Sequence, residues 1–173
     1  KEFDCLEKNQ KIVSQLATVE NTLLVRFVNN SSEFLDLSQS FFFDEIVSES
    51  TNPDIEFESV AFNDPLYILF SSGTTGVPKC IVHGVGGTLI QHKKEHMLHC
   101  DIKDGDRVFF FSTCGWMMWN WLVSSLASGA TLMLYDGSPF LHNNDNILFD
   151  FAEQEKFNFM GVSAKYLDTA RKK

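Results

Sequence analysis

The chain has 173 residues, 44% of them hydrophobic and 21% charged, with a formal net charge of −9 at neutral pH. That apolar content excludes a disordered chain, and the excess of negative charge argues against a nucleic-acid or anionic-membrane surface. Cys5, Cys80, Cys100 and Cys114 form no Cys-x-x-Cys pair and no zinc spacing, no run reaches membrane-spanning length and no signal peptide opens the chain; the expectation is a cytoplasmic protein with reduced thiols.

Apolar positions recur at helical spacing over residues 3–19, and residues 23–28 read as a strand that Asn29 and Asn30 end. Ser40 is placed to cap a short helix through Val47, and an acidic connector leads to Asp64-Pro65. Residues 66–70 form an apolar run rich in β-formers. A loop of hydroxyls and glycines follows, and Ile81-Val82 resumes the apolar character, which predicts buried strand, polar loop, buried strand. After Gly84, Val85, Gly86 and Gly87, residues 88–100 are helical; 108–111 form a buried strand; 116–127 form a helix that Gly129 stops. Residues 131–135 are a strand, 144–154 a helix, 157–160 a short strand, and Ser163 caps a helix expected to run to Lys173. Strands alternating with helices predict an α/β fold with a largely parallel sheet and crossover helices. The strands of Phe109, Leu132 and Phe159 should lie parallel beside the 66–70 strand.

The loop concentrates the chemistry. Ser71, Ser72, Thr74 and Thr75 supply four hydroxyls, Gly73 and Gly76 bring backbone amides within reach of an anion, and Lys79 supplies a cation. Only two residues separate Gly73 from Gly76, and Pro78 precedes Lys79, so this is not the loop of the P-loop NTPases. The run Ser-Ser-Gly-Thr-Thr-Gly-Val-Pro-Lys resembles the phosphate-binding loop of the adenylate-forming superfamily, which includes the acyl-CoA synthetases. The resemblance implies that Ser71, Ser72, Gly73, Thr74, Thr75, Gly76 and Lys79 bind the phosphates of ATP. It further implies that residues 1–173 are one partial domain, a piece of the large N-terminal domain of that fold without the C-terminal lid domain.

A second stretch, Cys114-Gly115-Trp116-Met117-Met118-Trp119-Asn120-Trp121, follows a buried strand, where open α/β sheets bind ligands. Large side chains there commonly form core; Asn120 among them is how a small-ligand pocket is lined. With Leu-Tyr-Asp-Gly-Ser-Pro at 134–139, this run is similar to the acetoacetate-activating branch of the superfamily. That similarity implies an acyl pocket at Trp116, Met117, Met118 and Asn120, and a parent ligase that uses ATP, Mg2+ and CoA to convert acetoacetate through an acyl-adenylate to acetoacetyl-CoA. The piece alone is expected to be inactive, with no catalytic residue assigned in it. Small-molecule substrates are the expected partners, without nucleic acid or membrane, together with dimerisation through apolar surface. The alternatives are an acetyl- or propionyl-CoA synthetase and a non-catalytic binding domain of the same fold. His92, His96 and His99 share one helical face; a solvated or half-buried face is the expectation there, rather than a metal site. His83, directly after a strand, is expected to be structural.

Overall fold

The computed structural model describes residues 5–27, 40–49, 54–71 and 76–173, in two compact units divided between Phe57 and Glu58. The first unit holds helix α1 (Leu6–Val13), a parallel pair of short strands β1 (Thr22–Leu24) and β2 (Ser40–Phe42), and helix α2 (Phe43–Glu49). Arg26 fixes their arrangement: its guanidinium lies 4.0 Å from the centre of the buried Phe42 ring and pairs with Asp44. Ser40 therefore lies in a strand, where residues 40–42 pair with β1, and does not cap the helix expected of it.

The second unit carries the sequence features of interest. Strand β3 (Pro65–Ser71) and strand β4 (Lys79–Gly84) pair antiparallel as a hairpin, in register from Tyr67 opposite His83 to Ser71 opposite Lys79. This corrects two expectations. Among the described residues β3 pairs with β4 alone, in a sheet separate from the parallel strands, and neither strand is buried. A seven-residue loop between adjacent strands suits an antiparallel hairpin, whereas a parallel pairing needs a crossover of a dozen residues or more. Tyr67, Leu69 and Ser71 are half-buried while Leu66, Ile68 and Phe70, on the other face, are exposed.

The expected parallel sheet forms from the next three strands. Strand β5 (Arg107–Phe110) lies between β6 (Thr131–Met133) and β7 (Phe159–Gly161), all parallel. Val108 is fully buried against Trp121 and Leu122 of helix α4 (Met117–Ser124), with Ile102 and Ala130. The neighbouring Phe109 is buried on the opposite face, with Leu148 of helix α5 (Ile147–Glu155) and Tyr166 of helix α6 (Ala164–Arg171). Both faces of β5 are covered, which is why its sequence is continuously apolar rather than alternating. The chain crosses from β5 to β6 through α4 and back to β7 through α5. Crossovers of one hand in opposite directions put their helices on opposite faces of the sheet.

Helix α3 (Val85–Lys94) begins three residues before the expected start. Its first amides are satisfied from outside the helix: Val85 N–H donates to Asp64 O and Gly86 N–H to Phe62 O, each at 2.9 Å. A Cβ on Gly86 would stand 2.1 Å from the Phe62 ring, so that contact requires glycine. The helix continues as a π-turn over Glu95–His99, closed by Cys100 N–H to Glu95 O. Helix α4 passes into a 3₁₀ turn (Ser125–Ser128) and stops at Gly129, whose φ of 75° is left-handed. Helix α6 is capped as expected, Ser163 Oγ accepting from Tyr166 N–H at 3.2 Å, but it ends at Arg171 rather than running through Lys173.

Candidate substrate cleft and phosphate loop

The loop joins the two strands of the hairpin. Ser71 and Lys79 are partnered at its mouth, the serine half-buried and the lysine exposed. Ser72, Gly73, Thr74 and Thr75 lie outside the described residues. Gly76 has φ +154° with open space where a Cβ would point, a backbone state that L side chains rarely adopt. An exposed cation, a hydroxyl facing it across the hairpin and a side-chain-free approach make a donor set that fits an anionic phosphate. Among the described residues no group of three His, Cys, Asp or Glu side chains could hold a metal ion, so these residues offer no cage for Mg2+ of their own.

At the other end of the hairpin lies a cleft of about 750 Å³, between β3–β4, α3 with its π-turn, and the first turns of α4. Four residues of strand, roughly 13 Å at the usual rise, separate Tyr67 in the cleft from Ser71 at the loop. Met117, Met118, Trp121 and Val82 give it apolar walls. Tyr67, His83, Thr88, Gln91, His92 and Glu95 bring polar atoms to it, and Gly84 and Gly87 leave it open. Polarizable, deformable methionines beside a few polar groups are the composition of a small-ligand pocket.

Of the four acyl-pocket residues expected from sequence, Met117 and Met118 line the cleft; Trp116 and Asn120 stand outside the lining. Trp116 precedes the helix, with extended backbone, and turns its ring edge toward Phe110, 5.9 Å between centroids. Asn120 is half-buried.

Sequence reasoning missed the α3 side of the cleft. Thr88, Gln91, His92 and Glu95 recur at three- and four-residue steps, a helical stripe legible in the sequence. His92 is 8% exposed and His96 is fully buried, which corrects the expectation of a solvated or half-buried face for these two, while His99 is exposed as expected. Each is used against α4. His92 Nδ1 lies 2.7 Å from Ser124 Oγ, and His96 donates from Nε2 to Trp121 O at 3.0 Å, with its ring edge-on to the indole at 4.3 Å. Burial lowers the pKa of both imidazoles and is the largest influence on each; for His92 the neighbouring His83 adds to it, while Glu95 opposes. Both are neutral at physiological pH. His83 stacks at an angle on Tyr67, 5.1 Å between centroids, and burial raises the Tyr67 pKa.

A loop-bearing hairpin and a cleft beside a parallel α/β sheet are the architecture of a ligand-binding domain, and the AMP-binding enzyme family model matches residues 2–172, so the chain belongs to that family. Its similarity within the family is to acetoacetyl-CoA synthetases. It is 66% identical over 116 residues to acetoacetyl-coenzyme A synthetase of Rhizobium meliloti, covering 67% of this chain and 18% of that protein. It is 45% identical over 179 residues to the Mus musculus acetoacetyl-CoA synthetase, covering all of this chain and 26% of that one. The solved acetoacetyl-CoA synthetase from Streptomyces lividans superposes with a TM-score of 0.85 at 35% identity, over 99% of this chain and 26% of its own. The chain thus spans about a quarter of the length of relatives that match it throughout.

Proposed function

We propose that these residues are part of the large N-terminal domain of a longer acid–thiol ligase that activates acetoacetate with ATP and passes the acyl group to CoA. The observation that carries this reading is the placement of loop and cleft at opposite ends of one hairpin. A short acid seated between Met117 and Met118 can direct its carboxylate along the strands toward a phosphate chain held at Ser71 and Lys79. Carboxylate attack on the α-phosphorus releases pyrophosphate, and the charge gathering on that leaving group needs fixed donors. Ser71, Ser72, Thr74, Thr75, the amides of Gly73 and Gly76, and Lys79 supply them, while holding the reactants together lowers the entropic barrier. Mg2+ enters with ATP as its salt. Met117, Met118 and Val82 give the acyl chain an apolar bed, and Trp116 and Asn120, named from the sequence, stand outside the lining.

The test is acetoacetate-dependent ATP–pyrophosphate exchange by the full-length protein. Replacing Thr74 and Thr75 together with valine keeps size and branching and removes two hydroxyls. Exchange is expected to fall about ten- to a thousand-fold, as when an oxyanion donor is removed, while acyl transfer from supplied acetoacetyl-adenylate to CoA falls less. Equal damage to both half-reactions would overturn the phosphate assignment. The 173 residues alone are expected to give no exchange.

A further inference from the structure

The cleft is lined side by side by Gln91 and His92, whose neighbours assign one a donor and the other an acceptor. Gln91 lies between opposite charges: Lys94 Nζ donates to its Oε1 at 3.1 Å, and its Nε2 donates to Glu95 Oε1 at 3.0 Å. A cation must meet the amide oxygen and a carboxylate the amide nitrogen, so the amide cannot be flipped, and one N–H remains uncommitted. The next residue is its complement. Ser124 donates its only hydroxyl proton to Trp121 O at 2.8 Å, a carbonyl that can only accept. With the Ser124 hydroxyl turned to that carbonyl, the 2.7 Å contact between Ser124 Oγ and His92 Nδ1 carries the imidazole's proton, His92 donating. In that arrangement neutral His92 is the Nδ1–H tautomer. Its Nε2 keeps a bare lone pair that no described residue engages and that, unlike Nδ1 of His96, is not sealed from the cleft.

We propose that Gln91 and His92 form a donor–acceptor pair that reads the substituent on the third carbon of a short carboxylic acid: the Gln91 N–H pairs with a 3-ketone and His92 Nε2 with a 3-hydroxyl. Ser124 acts as the positioning residue that fixes which way His92 reads. This rests on the cleft being the acyl pocket. It gives the selection of acetoacetate to Gln91, and gives the same cleft a second acid class, the 3-hydroxy acids, through His92. A ketone leaves the His92 Nε2 lone pair unpaired and depends on Gln91 alone, whereas a hydroxyl can accept from Gln91 and donate to His92. An unpaired polar group is a larger penalty than an apolar wall imposes for a change of shape.

The experiment compares kcat/KM for acetoacetate and 3-hydroxybutyrate in the full-length protein and its variants. Gln91→Leu should shift the ratio toward 3-hydroxybutyrate about tenfold, and His92→Leu should shift it about tenfold the other way. Ser124→Ala removes the acceptor that pins the Nδ1 proton, so the ratio should move toward acetoacetate while His92 itself is intact. A 15N-histidine NMR spectrum of the unmodified protein reads the tautomer directly, whether or not a variant folds: His92 should carry its proton on Nδ1. A proton on Nε2, or ratios that stay within about twofold in both Gln91→Leu and Ser124→Ala, would overturn the proposal. An unmodified protein that turns over neither acid would instead overturn the acyl-pocket reading, and the spectrum would still decide the tautomer.

Discussion

His96 shows how a single residue can fix a helix pair and sensitise it to acid. It is fully buried, gives its Nε2 proton to the Trp121 carbonyl and leaves Nδ1 without a hydrogen bond. A second proton at Nδ1 would be a buried charge with no acceptor. With the folded pKa below the unfolded value of about 6.5, the unfolded chain binds more protons as pH falls through that value. Stability is therefore complete above about pH 6.5 and is lost progressively below it, down to the folded pKa. Thermal unfolding should show Tm falling over that acid range, with the fall reduced in His96→Gln; a Tm flat between about pH 7 and 5 would refute the assignment. At the same scale, Asn120 lies outside the cleft lining whereas Met118 lies in it. Met118→Ala in the full-length protein should therefore relax selection among short acids, about ten-fold in relative kcat/KM for a longer chain, and Asn120→Leu should change it less. The comparison is read from butyrate and hexanoate kinetics.

At the scale of the element, the helices owe their boundaries to groups outside themselves. The last helix starts where Ser163 Oγ accepts from Tyr166 N–H, and Tyr166 packs its ring on Phe140 at 5.1 Å. Ser163→Ala should lower stability by about 1 kcal/mol, the usual value of such a cap, measured by urea unfolding of the full-length protein and its variant. Helix α3 depends more on fit: Gly86 admits the Phe62 ring, and Gly86→Ala would force ring or helix aside. The expected loss is larger, about 1–3 kcal/mol as for other overpacked contacts, and Phe62→Ala in the same chain should recover part of it. No recovery in the double variant would mean the two do not meet.

At the scale of the molecule, burial is uneven. Around β5 the core is closed on both faces, while one face of the hairpin exposes Leu66, Ile68, Phe70 and Val82. Contiguous apolar surface of this kind rarely faces water in a lone domain. The 173 residues by themselves should bind an apolar fluorescent dye and associate as concentration rises, checked by dye titration and sedimentation velocity. A monodisperse monomer that ignores the dye would show that the hairpin face is covered in solution. The full-length protein should behave oppositely.

The sequence by itself determined the elements whose signals are local. The continuous apolar run of β5, Gly129 after α4 and the Ser163 cap each fix a backbone state within a few residues, and the parallel sheet follows from their alternation. The composition of the loop is local in the same way, with Gly73, Gly76 and Lys79 within seven residues, and its phosphate role stands as the proposal. Tertiary structure alone decided what met across the chain: that the 66–71 strand turns back on 79–84 instead of joining the parallel sheet, and that His92 reaches Ser124, thirty-two residues away. Neither contact has a periodic signature, because pairing partners and side-chain proton positions are set by packing between elements, which spacing along one element does not encode.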